Sequence, residues 1–216
     1  GANDGRFGDP LYDFVAADPQ ATRVLLVEPQ TELIPFLSEN FKFHPDATIL
    51  NIAIGEPGVF TLYSLHPVIW HEIWDSVGKP DWPVYRPATG VSSMSRTHVA
   101  RWARKKLKSR FRDTEHIVQT EVRALTLPGA LAEAHFPDQV DILQIDVEGF
   151  DDQVIFNSVT SEVRPRLILF EHQHLTGRDR RKVVLFLEEA GYSVHVFRND
   201  CIAYNFSNEA LDAAGR

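Results

Sequence analysis

The chain has 216 residues, 44% of them hydrophobic, and a formal net charge of −8. That length suits one domain with a sizeable buried core, and the acidic balance argues against broad nucleic-acid binding, which needs a positive footprint. No apolar run approaches the ~20 residues of a membrane span, and a single cysteine, Cys201, excludes an intramolecular disulfide and fits a reducing, cytoplasmic compartment.

The chain opens on Gly1-Ala2-Asn3-Asp4-Gly5, a glycine loop that reads as the middle of a motif, so a first strand is expected upstream of residue 1. Residues 24–28 form an apolar run ending in an acid, the pattern of a strand buried on both faces. Residues 31–41 follow with helical spacing: Leu33, Ile34, Leu37 and Phe41 share a face, Thr31 is a candidate cap, and Pro35 is tolerable only near the first turn. Strands are expected at 48–53 and, after a Glu-Pro-Gly turn, at 59–63.

Residues 66–116 break this rhythm. They hold all four tryptophans and end in a basic, helix-like run from Arg96 to Arg112 that contains eight of the 22 Lys and Arg residues. The segment reads as an insertion over the sheet rather than a separate domain. Alternation then resumes: a strand at 118–122, a helix at 127–135, a buried strand at 140–146, a helix at 151–159 and a buried strand at 166–171. Thr176 and Asp179 resemble a capping box for a helix that buries Val183, Val184, Leu187 and Ala190 and stops at Gly191. Residues 193–197 and 202–206 close the chain as a hairpin. The whole predicts an α/β fold with a mainly parallel sheet and one antiparallel strand near the C-terminus.

In such sheets ligands bind beyond the carboxyl ends of the strands, so the polar residues there are the candidates. Glycines in the 1–5 loop permit a tight turn and close backbone approach, and Asn3 tolerates positive φ, although clusters of Gly, Asn and Asp are often only turns. Glu28 ends the next strand. A carboxylate there can accept both hydroxyls of an adenosine ribose, or simply be solvated. Asp146-Val147-Glu148-Gly149 places two carboxylates directly after a buried strand, where burial without partners is costly; a helix start with favourable dipole is the bland account. The next strand also ends in an acid, Glu171, followed by His172 and His174. Asp146 and Glu171 on neighbouring strand ends could hold a divalent metal such as Mg²⁺ or supply a general base; no strict metal-ligand spacing appears, so no metal ligand is assigned.

The residues Gly-Ala-Asn-Asp-Gly (1–5), Val-Glu-Pro (27–29), Asn-Ile-Ala-Ile-Gly (51–55) and Gln-Ile-Asp-Val-Glu-Gly (144–149) occur in an order that resembles the signature of FkbM-type methyltransferases, with Val-Ser-Ser-Met (91–94) and Leu-Thr-Leu (125–127) as further likenesses. The resemblance spans residues 1 to about 205. It implies a Rossmann-like class I methyltransferase fold, with a seven-stranded, mainly parallel sheet, an antiparallel strand near the C-terminus and an inserted lid at 66–116, in one domain covering 1–216. It implies S-adenosylmethionine as cofactor: Gly1, Ala2, Asn3, Asp4 and Gly5 under its methionine part, Glu28 and Pro29 at the ribose, and Asn51, Ile52 and Ala53 against the adenine. Asp146 would also contact the cofactor, near the methyl-transfer site. Gln144 replaces a common lysine, and Asp151 or Asp152 stands where many members carry glutamate.

Methyl transfer to a hydroxyl benefits from a base, and the catalytic candidates are Asp146, then Glu171 or His172. The expected acceptor is a hydroxyl of a sugar, glycan or other small molecule, with the 66–116 segment as a lid whose aromatic and basic residues could grip it. Three rivals stay open. A nicotinamide-dependent oxidoreductase shares the glycine loop and Glu28, but Gly1, Gly5 and Gly8 match G-x-G-x-x-G poorly. A non-catalytic scaffold or carbohydrate-binding protein could keep the fold. A metal-dependent hydrolase could use Asp146, Glu148, Glu171, His172 and His174.

Overall fold

The first element after the glycine loop is a six-residue helix, α1 (Tyr12–Ala17), which buries only Val15 and has no side-chain cap. Nothing in the pattern of residues 6–23 announces it, because one buried position defines no period. The computed structural model describes residues 1–160 and 163–206, and it divides the chain into two compact units, residues 1–53 with 57–124 and residues 54–56 with 125 onward.

In the first unit β1 (Val24–Val27) ends one residue before Glu28. The expected helix at 31–41 begins instead with a 3₁₀ turn, Thr31–Leu33, that runs into α2 (Ile34–Asn40). Thr31 does not cap it: its hydroxyl donates to Asn51 Oδ1 at 2.8 Å. Pro35 lies in the first turn of α2, where a missing N–H costs nothing. Leu33, Leu37 and Phe41 are buried as the spacing requires. β2 (Ala47–Leu50) runs parallel to β1, from Val24↔Ala47 to Val27↔Leu50. The strand expected at 48–53 is broken at Asn51-Ile52, since Asn51 turns its amide onto the Glu28 and Pro29 carbonyls and Ile52 is buried. β3 (Ala53–Ile54) is a separate two-residue strand.

The 66–116 insertion fills the connection between two antiparallel strands. β4 (Gly58–Leu65) leads into α3 (Trp70–Val77), α4 (Arg86–Thr89), α5 (Arg96–Leu107) and α6 (Asp113–His116), and the chain returns as β5 (Ile117–Leu125), paired with β4 from Gly58↔Ala124 to Leu65↔Ile117. The sheet order is β3-β5-β4. The basic run is helical because Val99, Ala103 and Leu107 recur every four residues and point into a cluster with Leu65, Ile69, Ile73, Ala88 and Val91. Ser95 caps it, its Oγ accepting the His98 N–H at 3.3 Å. The insertion therefore has its own core.

In the second unit Thr126 caps α7 (Leu127–Glu133), and β6 (Ile142–Ile145), α8 (Asp151–Ser158), β7 (Leu167–Glu171), α9 (Gly177–Glu189), β8 (Ser193–Phe197) and β9 (Asp200–Tyr204) follow. β6 and β7 are parallel; β9 inserts between β7 and β8, antiparallel to both, in the order β6-β7-β9-β8. Thr176 accepts the Asp179 N–H at 3.2 Å, and Gly191 ends the helix turn with φ +86°. Ile145, Ile155, Ile168, Val183, Leu187 and Cys201 form the core.

The architecture is α/β, with the antiparallel C-terminal strand where it was expected. The single seven-stranded, mainly parallel sheet is not what the described residues show. Their strands fall into sheets of two, three and four, and only β1–β2 and β6–β7 are parallel pairs. Among the described residues β1 pairs only with β2, and β6 only with β7. No helix among the described residues is long and apolar enough to cross a membrane.

Candidate active site

In the first unit the glycine loop and Glu28 are one constellation. The Ala2 N–H donates to the Val27 carbonyl at 2.8 Å, laying the loop along β1. Asn3, at φ +53°, then turns its N–H onto Glu28 Oε2 at 2.6 Å. Gln30 gives Glu28 Oε1 its backbone N–H at 2.8 Å and its side-chain Nε2 at 3.2 Å. Glu28 is only 2% exposed. Burial raises its pKa above the ordinary carboxylate value, while these N–H donors pull the other way.

Asp4 is also buried, and its Oδ1 accepts the N–H groups of Arg6 and Phe7, both at 3.0 Å. Gly1 is exposed and Ala2 half-buried; Pro29 and Ala53 are half-buried, Asn51 is exposed and Ile52 is in the interior. Gly5 is explained by packing as well as by backbone. It has φ +68°, and a Cβ there would stand 2.6 Å from both Leu37 Cδ1 and Phe41 Cε2. Gly5→Ala should therefore cost about 2–4 kcal/mol, read as a lowered urea midpoint; an unchanged midpoint would mean the loop absorbs the methyl group without strain.

In the second unit the parallel register Ile145↔Phe170 brings Asp146 and Glu171, the next residue of each strand, to neighbouring strand ends. After Asp146 the backbone turns sharply, with φ +52° at Glu148 and +99° at Gly149, and Asp151 folds back to accept the Gly149 N–H at 3.2 Å. Asp151 is 1% exposed; burial, with Asp146 adding to it, pushes its carboxyl up to about 6. Glu171 is pushed up to about 7, by burial first and then by the negative charges of Asp146, Asp151 and Asp200. Asp146 itself is exposed.

The two histidines separate. His174 Nε2 lies 3.4 Å from Glu148 Oε2 and 3.5 Å from Glu171 Oε2. These three residues can present ligand atoms within 4.8 Å of one another, a span that a divalent ion could bridge. His172 does not join them. It is 6% exposed, its Nδ1 lies 3.5 Å from Arg180 on α9, and its Nε2 has no hydrogen-bond partner among the described residues. Reading along the sequence noted Asp151 only as a departure from a common family glutamate, not as a site residue. Its signal was an acid in the first turn of a helix directly after the glycine that follows a strand-end carboxylate.

In α/β folds ligands bind beyond strand ends of this kind. A model of the FkbM methyltransferase domain matches residues 1–194. The chain belongs to the FkbM methyltransferase family, which makes it a methyltransferase and implies S-adenosylmethionine as the methyl donor. No curated protein and no solved structure matches it.

Proposed function

We propose that the chain transfers the methyl group of S-adenosylmethionine to a hydroxyl oxygen of a sugar, glycan or other small-molecule acceptor. The observation that carries the reading is the pair of carboxylates at neighbouring parallel strand ends, Asp146 and Glu171, where burial and the nearby acids push Glu171 up to about 7; oxygen as the acceptor atom rests on the family resemblance. A hydroxyl must lose its proton as it is methylated, and a base works best when its pKa lies near the working pH. Glu171 is the base in this reading. Asp146, the first candidate from the sequence, is the neighbouring carboxylate that keeps its proton affinity high, and His172, the other candidate, lies against Arg180 of α9.

The cofactor would be held by Gly1, Ala2, Asn3, Asp4, Gly5, Glu28, Pro29, Asn51, Ile52 and Ala53. The residues fit it in kind. Three N–H donors occupy three of the four lone-pair positions of the Glu28 carboxylate, so the fourth would accept one ribose hydroxyl rather than the two expected from the sequence. The bound sulfonium supplies the reactive methyl group; the chain supplies position, water exclusion and the proton acceptor. The family match runs through both units, which supports reading 1–216 as one methyltransferase domain with an insertion at 66–116. The compartment we propose is the cytoplasm, since a lone cysteine forms no disulfide within the chain.

Calorimetry of S-adenosylhomocysteine on the folded chain, with NAD as control, tests the reading. Binding of the first alone is expected. Binding of NAD instead, or of neither with and without Mg²⁺, would overturn it.

A further inference from the structure

Gln30 makes more contacts than a loop residue after a strand needs. It is 5% exposed, and every polar atom of its side chain is used. Nε2 donates to Glu28 Oε1 at 3.2 Å and to the Thr89 carbonyl at 3.1 Å, and Oε1 accepts the Ser92 hydroxyl at 2.6 Å. Its backbone N–H adds a fourth contact, again to Glu28. Thr89 and Ser92 belong to the 66–116 insertion, 59 and 62 residues further along the chain.

Their segment is firmly mounted. Ser93 pairs with Tyr63 of β4 through two backbone hydrogen bonds of 2.9 and 3.0 Å, and Ala88 and Val91 are part of the insertion's core. The same segment touches the glycine loop at further points. The Tyr85 hydroxyl donates to Asp4 Oδ2 at 3.1 Å, Arg86 Nε donates to the Phe7 carbonyl at 2.8 Å, and the Asn3 amide and Thr89 hydroxyl lie 3.4 Å apart.

We propose that Gln30 is a positioning residue for the cofactor carboxylate: it ties Glu28 to the core-mounted Thr89–Ser92 turn, so that the insertion sets the affinity for the cofactor's ribose. This rests on the assignment of Glu28 to the ribose. The physical argument is one of orientation. Glu28 can rotate about its side-chain bonds; the Asn3 N–H restrains Oε2 and the Gln30 backbone N–H restrains Oε1. The Gln30 amide restrains Oε1 from a second direction, and that amide cannot turn because Thr89 and Ser92 hold it at both ends. A carboxylate fixed in this way meets a ribose hydroxyl without losing further freedom on binding. The insertion then acts on the cofactor loop itself, apart from any role in covering an acceptor.

The test compares two ligands on three proteins. S-adenosylhomocysteine and its 2′,3′-dideoxy analogue are titrated calorimetrically into the wild type, Gln30→Met and Ser92→Ala. A hydrogen bond to a charged group is worth about 1.5 kcal/mol or more, so Gln30→Met should weaken S-adenosylhomocysteine about tenfold or more. Ser92→Ala, which frees one end of the amide, should weaken it about three- to fivefold. Neither variant should change the affinity of the dideoxy analogue, since it has no hydroxyl for Glu28 to meet. Equal losses for both ligands would show a merely structural role and overturn the proposal, as would unchanged binding of S-adenosylhomocysteine to both variants. If Gln30→Met does not fold, Ser92→Ala alone decides between these outcomes. Failure of the wild type to bind S-adenosylhomocysteine would instead strike at the methyltransferase reading, and the positioning role would fall with it.

Discussion

Glu28→Gln should weaken S-adenosylhomocysteine binding about a hundredfold or more and lower the unfolding free energy by about 2–3 kcal/mol. Both effects come from one conflict. Glu28 is surrounded by donors only: the N–H groups of Asn3 and Gln30 and the Gln30 side-chain amide. Glutamine has nearly the same shape, but it replaces one acceptor by an NH₂ group, which must then face a donor in a site that is 2% exposed. An unsatisfied pair in such a site bears its full desolvation penalty. The Asn3 N–H is the link between strand end and glycine loop, so the loop loses its anchor along with the ribose acceptor. Urea unfolding and calorimetry measure the two effects separately. Normal affinity in a folded variant would remove Glu28 from the cofactor site.

Glu171→Gln should lower turnover about 10²- to 10³-fold once an acceptor is in hand, with little change in cofactor affinity. In the wild type, turnover should rise as pH rises through about 7, where Glu171 loses its proton, and then level off; the variant should lack that limb. The groups facing Glu171 are Asp146, Asp151 and Asp200, which raise its pKa, and Gln173, whose amide donates to it and lowers it; His174 lies 3.5 Å away. Stability should move in the opposite sense to activity. The folded-state pKa of Glu171 is raised above its unfolded value, so its stabilising contribution is complete below the ordinary 4.5 and is lost as pH rises through about 7. The neutral glutamine escapes that loss. The variant should be more stable than wild type by about 1–2 kcal/mol at pH 8, allowing for solvent screening, and no more stable near pH 4. A pH-independent difference in stability, or turnover within a few-fold of wild type, would show that Glu171 is neither strained nor the base.

The sequence alone determined most of what is local. Apolar runs ending in an acid placed β1, β6 and β7 and the carboxylates just beyond them, because a strand buried on both faces needs continuous apolarity and its end meets polar surroundings. The helical spacing of α9, the cap at Thr176 and the stop at Gly191 were equally legible, whereas 96–112 read only as a basic helix-like run and its buried Val99, Ala103 and Leu107 emerged with the insertion's core. So was the family, since Gly-Ala-Asn-Asp-Gly, Val-Glu-Pro and Ile-Asp-Val-Glu-Gly are short stretches in fixed order. What depends on distant partners was decided only by the tertiary structure. Strand pairing needs two segments, so no single run could say that the strands of the described residues form sheets of two, three and four. His172 and His174 are equivalent in the sequence; one faces Arg180 on α9 and the other Glu148, because the chain direction after β7 selects between them. The pKa values of Asp151 and Glu171 arise from burial and from charges brought near by folding. Gln30 looks like an ordinary turn residue until Thr89 and Ser92 reach it from 59 and 62 positions away, a contact that only the folding of the insertion onto β4 creates.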